Sequence, residues 1–377
     1  MLRVAAALFV VCLVSACAAG PQSIPRSTPA ARRATPVPTP TPVPQLTLGG
    51  LYHPSGPVQG DPTHVRTLIA TGDVIPARLI DQAATQRGDF LWPFRPTADY
   101  VRNADITYIN LESPLLDGCP VRTLGSDFCS DPRFLSGLQL IGAKVANLAN
   151  NHVYPGPDAT QTDQRLQAAG IAVTKNLGAP AVLDVRGLKF AFVGCNGVTG
   201  GAPVDRGALQ ADITYARQLV GPEGVVVVQF HWGEEYQRLP VAAPGVAPDD
   251  PVQLGHLAID AGADLVIGNH PHWVQAVEIY KNHLITYAHG NYVFDQVNCY
   301  PGIGPDYQTY CSDDTRTSVI GTYTFLDNHL AGVTWRPTYI DTQLQTQFAD
   351  PSRSAAVLQT MESASAQLAR QQGEPAA

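Results

Sequence analysis

From Thr67 onward, short apolar runs alternate with amphipathic stretches. The runs are "RTLIATGD" (66–73), "ITYINLE" (106–112), "KVANLANNH" (144–152), "KFAFVGCN" (189–196), "GVVVVQFHWG" (224–233) and "DLVIGNHPH" (264–272). They are rich in β-branched residues and apolar at successive positions, which predicts strands buried on both faces. Between them lie helix candidates. Asp158 precedes "ATQTDQRLQAA" as its cap and Gly170 stops it. In "DPVQLGHLAIDA" (250–261), Asp250 is the cap and Pro251 opens the first turn, with Gly262 as the stop. Strands alternating with helices predict an α/β domain.

Toward the C-terminus, "KNHLITYAHGNYVFDQ" (281–296) and "TSVIGTYTFLDNHLAGVTWRPTYI" (317–340) read as hairpins, with "DNHLAG" as a turn between alternating strands. They suggest a second, more antiparallel sheet, and hence a sheet-on-sheet sandwich covered by helices.

Polar residues gather just past the C-terminal ends of the apolar runs. They are Asp73, Glu112, Asn151 with His152, His231, and then His270 with His272. In open α/β sheets that edge is where ligands bind, so separate segments deliver their tips to one rim. The sharpest of these is "GNHPH", because histidines at i and i+2 of an extended segment point the same way. Gly268 would let the strand end turn tightly, and Pro271 would fix the backbone between the histidines.

Taken singly, these residues read as turns, caps or core histidines. As a set they are oxygen and nitrogen donors suited to Mn, Fe or Zn, with no thiolate among them. Six ligands exceed one tetrahedral ion but suit two divalent metal ions sharing a bridging carboxylate, here Glu112. Such a pair can clamp a phosphoryl group. His152, beside Asn151, is placed to protonate a leaving alkoxide.

Composition narrows the setting. The chain has 377 residues, 45% hydrophobic and 15% charged, with a formal net charge of −8. It carries no basic footprint for nucleic acid or an anionic membrane surface. Residues 1–17, "MLRVAAALFVVCLVSAC", read as a secretory signal, and "VSAC" (Val14–Cys17) resembles a bacterial lipobox that would place lipid on Cys17. Residues 18–63, rich in Pro, Thr and Ser at their start, read as a disordered tether. The expected location is therefore extracytoplasmic, with the membrane as partner through the N-terminal lipid. Cys119 with Cys129 and Cys299 with Cys311 each flank a short loop and suggest two local disulfides, leaving Cys195 as a core residue.

Five stretches carry a resemblance: "TLIATGDVIPAR", "INLESPL", "ANLANNHVYPGPDATQTDQRLQAAGI", "VVVVQFHWGEEY" and "AIDAGADLVIGNHPHWVQAVEIYKNHLITYAHGNYVFDQ". In order and content they resemble the CapA family of poly-γ-glutamate or capsule biosynthesis proteins, which is similar to calcineurin-like metallophosphoesterases. The resemblance implies a four-layer α/β/β/α metallophosphatase-like sandwich over 64–345, followed by a C-terminal helix and tail over 346–377. By position it assigns Asp73, Glu112, Asn151, His231, His270 and His272 to metal, His152 to catalysis, and Arg78 to a basic position facing substrate oxygens. There are departures: "GDVI" lacks the usual Asp-x-His histidine, and "AHGNY" brings His289 and Asn291 near the rim. Two functions follow as expectations. One is metal-dependent hydrolysis of a phosphoester or related bond. The other is non-catalytic binding of an anionic polymer. Either role could belong to a capsule-synthesis complex.

Overall fold

The computed structural model describes residues 43–297 and 312–373, with 59, 124 and 154 excepted. Cys17, Cys299, Cys311 and the signal segment lie outside the described residues. Every apolar run named above forms a strand. β1 (Val65–Val74), β2 (Ile106–Leu111), β3 (Ala143–Asn147) and β4 (Ala172–Thr174) lie parallel in one sheet. β6 (Leu188–Asn196), β7 (Val225–His231) and β8 (Leu265–Asn269) lie parallel in another.

The antiparallel strands do not make a sheet of their own. β12 (Thr317–Leu326), β13 (His329–Ile340) and β14 (Thr346–Phe348) extend the first sheet beyond β1, and β11 (Asn291–Val293) pairs with the end of β1. The second sheet runs β5-β6-β7-β8-β10-β9, with β5 (Ala181–Val185) and β9 (Val277–Tyr280) as antiparallel edges and β10 (His283–Thr286) between β8 and β9. The β9–β10 turn uses Lys281 and Asn282, both at positive φ, as a type I′ hairpin turn requires.

Apolar clusters set the stacking. One joins the facing sides of both sheets, with Leu68, Tyr108 and Tyr323 from the first against Phe192, Val227 and Leu284 from the second. Another covers the far side of the first sheet with α2 (Leu79–Arg87), α3 (Arg95–Val101), α4 (Leu135–Leu140) and α5 (Pro157–Ala168). A third covers the far side of the second with α6 (Arg206–Val220), α7 (Pro251–Asp260) and part of α9 (Pro351–Gln371). The α/β sandwich class is as expected.

Local details differ from the sequence reading. Asp250 caps α7, accepting from the Val252 N–H at 2.9 Å, but Asp158 lies inside α5 because Pro157 already occupies its first turn. The end of the expected tether is packed: α1 (Leu48–Tyr52) buries Leu51, and the Tyr52 hydroxyl pairs with Ser365 Oγ at 2.8 Å. A few apolar residues there outweigh the surrounding prolines. Among the described residues, no helix is long and apolar enough to cross a membrane.

Gly268 does not turn the strand. Its place is dictated by close approach, since a Cβ there would meet the Tyr287 carbonyl oxygen at 2.1 Å and Trp232 Nε1 at 2.4 Å. Gly268→Ala should therefore lower stability by about 1–3 kcal/mol or more. Gly245→Ala, with nothing within 4 Å, should change it by less than about 0.5 kcal/mol. Denaturant midpoints of the two variants check this, and equal midpoints would contradict it.

Candidate metal centre

The strand tips converge. Asp73 sits at the end of β1, Glu112 follows β2, Asn151 and His152 follow β3, His231 ends β7, and His270 and His272 follow β8. Asp73, Glu112, His231, His270 and His272 are all buried. They fall into two groups that share Glu112. One is Glu112, His231 and His270, and the other is Asp73, Glu112 and His272; in each, the donor atoms lie within 4.8 Å of one another.

On the first side, His231 Nε2 lies 2.8 Å from Asn151 Oδ1 and 3.2 Å from Glu112 Oε1. The rings of His231 and His270 are 4.7 Å apart. On the second, His272 Nδ1 donates to Asn291 Oδ1 at 2.8 Å and lies 3.3 Å from Asp73 Oδ2. His152 stands at the rim with its side chain 12% exposed and Nε2 3.8 Å from Glu112 Oε1.

The histidines of "GNHPH" reach these two sides by a route the sequence did not suggest. The segment is not extended: His270 has φ 100° and His272 φ 58°. Residues held in such sparsely populated backbone regions persist only where the surroundings impose them. Here the twist sends one ring toward His231 and the other toward Asp73.

Buried polar side chains hold the carboxylates. Asn110 Nδ2 and Asn269 Nδ2 each donate to Asp73 Oδ1 at 2.9 Å. Asn147 Nδ2 in turn donates to Asn110 Oδ1 at 3.1 Å. Asn150 Nδ2 donates to the Leu111 carbonyl, and its Oδ1 receives the N–H groups of His152 and Val153. Sequence reasoning passed over Asn110 and Asn269, although each is a polar residue at the end of an apolar run, and Asn110 shares a pleat face with Glu112. Asn291 was noted without a role, and its contact with His272 supplies one.

Burial governs the electrostatics. It pushes Glu112 well above the usual carboxylate range, with Asp73 adding to the effect. Burial would also raise Asp73, but the hydrogen bond and charge of His272 outweigh it and hold Asp73 below its usual value. Burial drives His231 down to about 3 and His270 well below its ordinary value. For His272 burial acts in the same direction, yet Asp73, Glu112 and Glu235 together raise it to about 9.

These residues fit a cation. Glu112 Oε1 and His270 Nδ1 are buried with no hydrogen-bond partner, and such groups are rare in folded proteins and call for an explanation. Buried carboxylates without a compensating cation cost several kcal/mol each, and oxygen with imidazole donors suits a divalent metal.

Arg78 is placed differently from the sequence expectation. Its guanidinium forms a two-pronged ion pair with Asp295 and donates to the Gly125 carbonyl at 3.0 Å. It also lies over the rings of Phe128 and Phe294. Phe128, against which Arg78 packs, has its ring 4.1 Å from that of His152. The loop carrying Phe128 is closed by a disulfide between Cys119 and Cys129, and Cys195 is free and buried. His289 lies beneath the rim with Nε2 2.8 Å from the Tyr323 hydroxyl, outside both ligand groups.

The sequence is similar to proteins named for capsule and PGA biosynthesis. The chain is 29% identical over 265 residues to the capsule biosynthesis protein CapA of Bacillus anthracis, covering 64% of this chain and 62% of that one. It is 27% identical over 250 residues to the PGA biosynthesis protein CapA of Bacillus subtilis (strain 168), covering 60% of this chain and 62% of that one. It is 28% identical over 270 residues to a probable polyglutamine synthesis accessory protein of Mycobacterium tuberculosis (strain CDC 1551 / Oshkosh), covering 62% and 67%. The matched part thus spans less than two thirds of the length of both Bacillus relatives. Residues 67–296 match the family described as bacterial capsule synthesis protein PGA_cap, so all the candidate metal-binding positions fall inside the match and the chain belongs to that family.

Proposed function

We propose that this chain is a membrane-tethered hydrolase of capsule synthesis that cleaves a phosphoester or related bond with the help of two divalent ions. One observation carries the reading: Glu112, fully buried, belongs to both donor groups and keeps one oxygen without a hydrogen-bond donor. Asp73, Glu112 and His272 would hold one ion, and Glu112, Asn151, His231 and His270 the other. When bound, such a pair supplies Lewis acidity and a nucleophile drawn from water at neutral pH.

The chain's own residues do the rest. Asp73 is oriented by Asn110 and Asn269, and His272 by Asn291. Partners of this kind typically affect metal affinity or activity by 10–100-fold. His152, packed against Phe128 at the rim, would serve the leaving group. Burial lowers His152 to about 3, and a bound anion would act in the opposite direction, toward the protonated form that donates to a leaving oxygen.

The relatives' names speak of biosynthesis and of an accessory role, which favours a second reading, the holding of an anionic polymer in the same cleft. The readings part on one substitution. Purified protein with Mn²⁺ should release nitrophenol from bis(p-nitrophenyl) phosphate. His152→Ala should keep its metal while turnover falls by about 10²–10⁴-fold. Polyglutamate binding with no turnover in the wild type, whatever the metal, would reject hydrolysis in favour of holding.

The extracytoplasmic location and lipid anchor rest on the "VSAC" motif at Cys17. Cys17→Ser should move the protein from the membrane fraction to the soluble one. A variant that still sediments with membranes would contradict the anchor.

A further inference from the structure

The loop after β7 brings a third carboxylate to the centre. Glu235 Oε1 lies 4.0 Å from His270 Nε2 and 4.0 Å from His272 Nε2. Both separations are too long for hydrogen bonds. They suit two donors on a common ion, since metal bonds of about 2.0–2.2 Å at wide angles place donors roughly 3–4 Å apart.

The proton on His272 sharpens this. Asn291 Nδ2 donates to the Thr315 carbonyl at 3.0 Å and to Gln296 Oε1 at 3.1 Å. A carbonyl can only accept, so the direction of the Asn291 amide is fixed and its Oδ1 faces His272 Nδ1. Nδ1 also faces Asp73 Oδ2, another acceptor. Nδ1 thus points its hydrogen at acceptors, which leaves Nε2 as the nitrogen that faces Glu235 and the one that would take an ion. A cation between Nε2 and the Glu235 carboxylate would satisfy both.

The loop holds Glu235 in place on both sides. The Glu234 N–H donates to the Val241 carbonyl and the Tyr236 N–H to the Pro271 carbonyl, each at 2.9 Å. The second bond ties the loop directly to the turn between the two histidines. Glu235 is about a third exposed, so it forms the solvent side of the centre. Among the described residues, no Lys or Arg lies within 4.0 Å of it as an ion-pair partner.

The geometry points to Glu235 as a further metal ligand of this centre, closing from the solvent side the ion that His272 holds. This rests on the metal-hydrolase reading above.

The test is calorimetric titration of metal-free protein with Mn²⁺, paired with the visible absorption of the Co²⁺-loaded form. Glu235→Gln should weaken one of two bound ions by about tenfold or more and change the Co²⁺ band intensity. The other ion should keep its affinity, and the metal-free melting temperature should not change. Glu234→Gln, one residue away and exposed, should match the wild type in both readouts. Two ions bound equally well by wild type and Glu235→Gln, with the same Co²⁺ spectrum, would overturn this assignment alone. A wild type that takes up no metal would overturn it together with the proposed function.

Discussion

Glu112 is a carboxylate without solvent contact, and one of its oxygens has no hydrogen-bond donor. Without a cation this is costly, and burial already drives the group toward its neutral form. A divalent ion on each side would remove the conflict. It would give the free oxygen a partner, restore the charged carboxylate and draw in His231 and His270, which burial keeps neutral. The surrounding structure can be understood as the means of keeping that side chain in place.

Two sheets meet so that the carboxyl ends of β1, β2, β3, β7 and β8 share one rim, and the close contacts behind the rim fix their distances. A Cβ at Gly72 would strike the Gly290 carbonyl oxygen at 2.1 Å, and that same oxygen accepts the Asp73 N–H. The strand end bearing Asp73 thus lies directly against the β11 segment bearing Asn291. Packing on one side and the asparagine network on the other leave the donor groups little freedom. Pre-organisation of this kind is what a metal site requires.

Much of this was legible in the sequence, for a stated reason. A strand buried on both faces reads as an unbroken apolar run, so the polar residue ending it stands out. Asp73, Glu112, His231, His270 and His272 were found that way. What the sequence hid depends on long-range pairing or on the backbone. Asp295 neutralises Arg78 from 217 positions away. The positive φ of His270 and His272 breaks the i, i+2 rule that an extended strand obeys. Glu235 ends no apolar run, and only the fold of its loop brings it to the two histidines. Residues 317–340 form the hairpin they resemble, but 281–296 does not, since β10 pairs with β8 and β9 in the second sheet while β11 pairs with β1 in the first; which strand each pairs with could not be read from alternation alone.

The central claim is that one carboxylate serves two ions. It is tested most directly by metal content per chain in wild type and Glu112→Gln after equilibration with limiting Mn²⁺. The account predicts about two ions in the wild type and loss of both together in the variant, because the amide cannot give a charged oxygen to each side. A variant that loses one ion and keeps the other at full affinity would contradict the shared carboxylate, as would a wild type that binds a single ion.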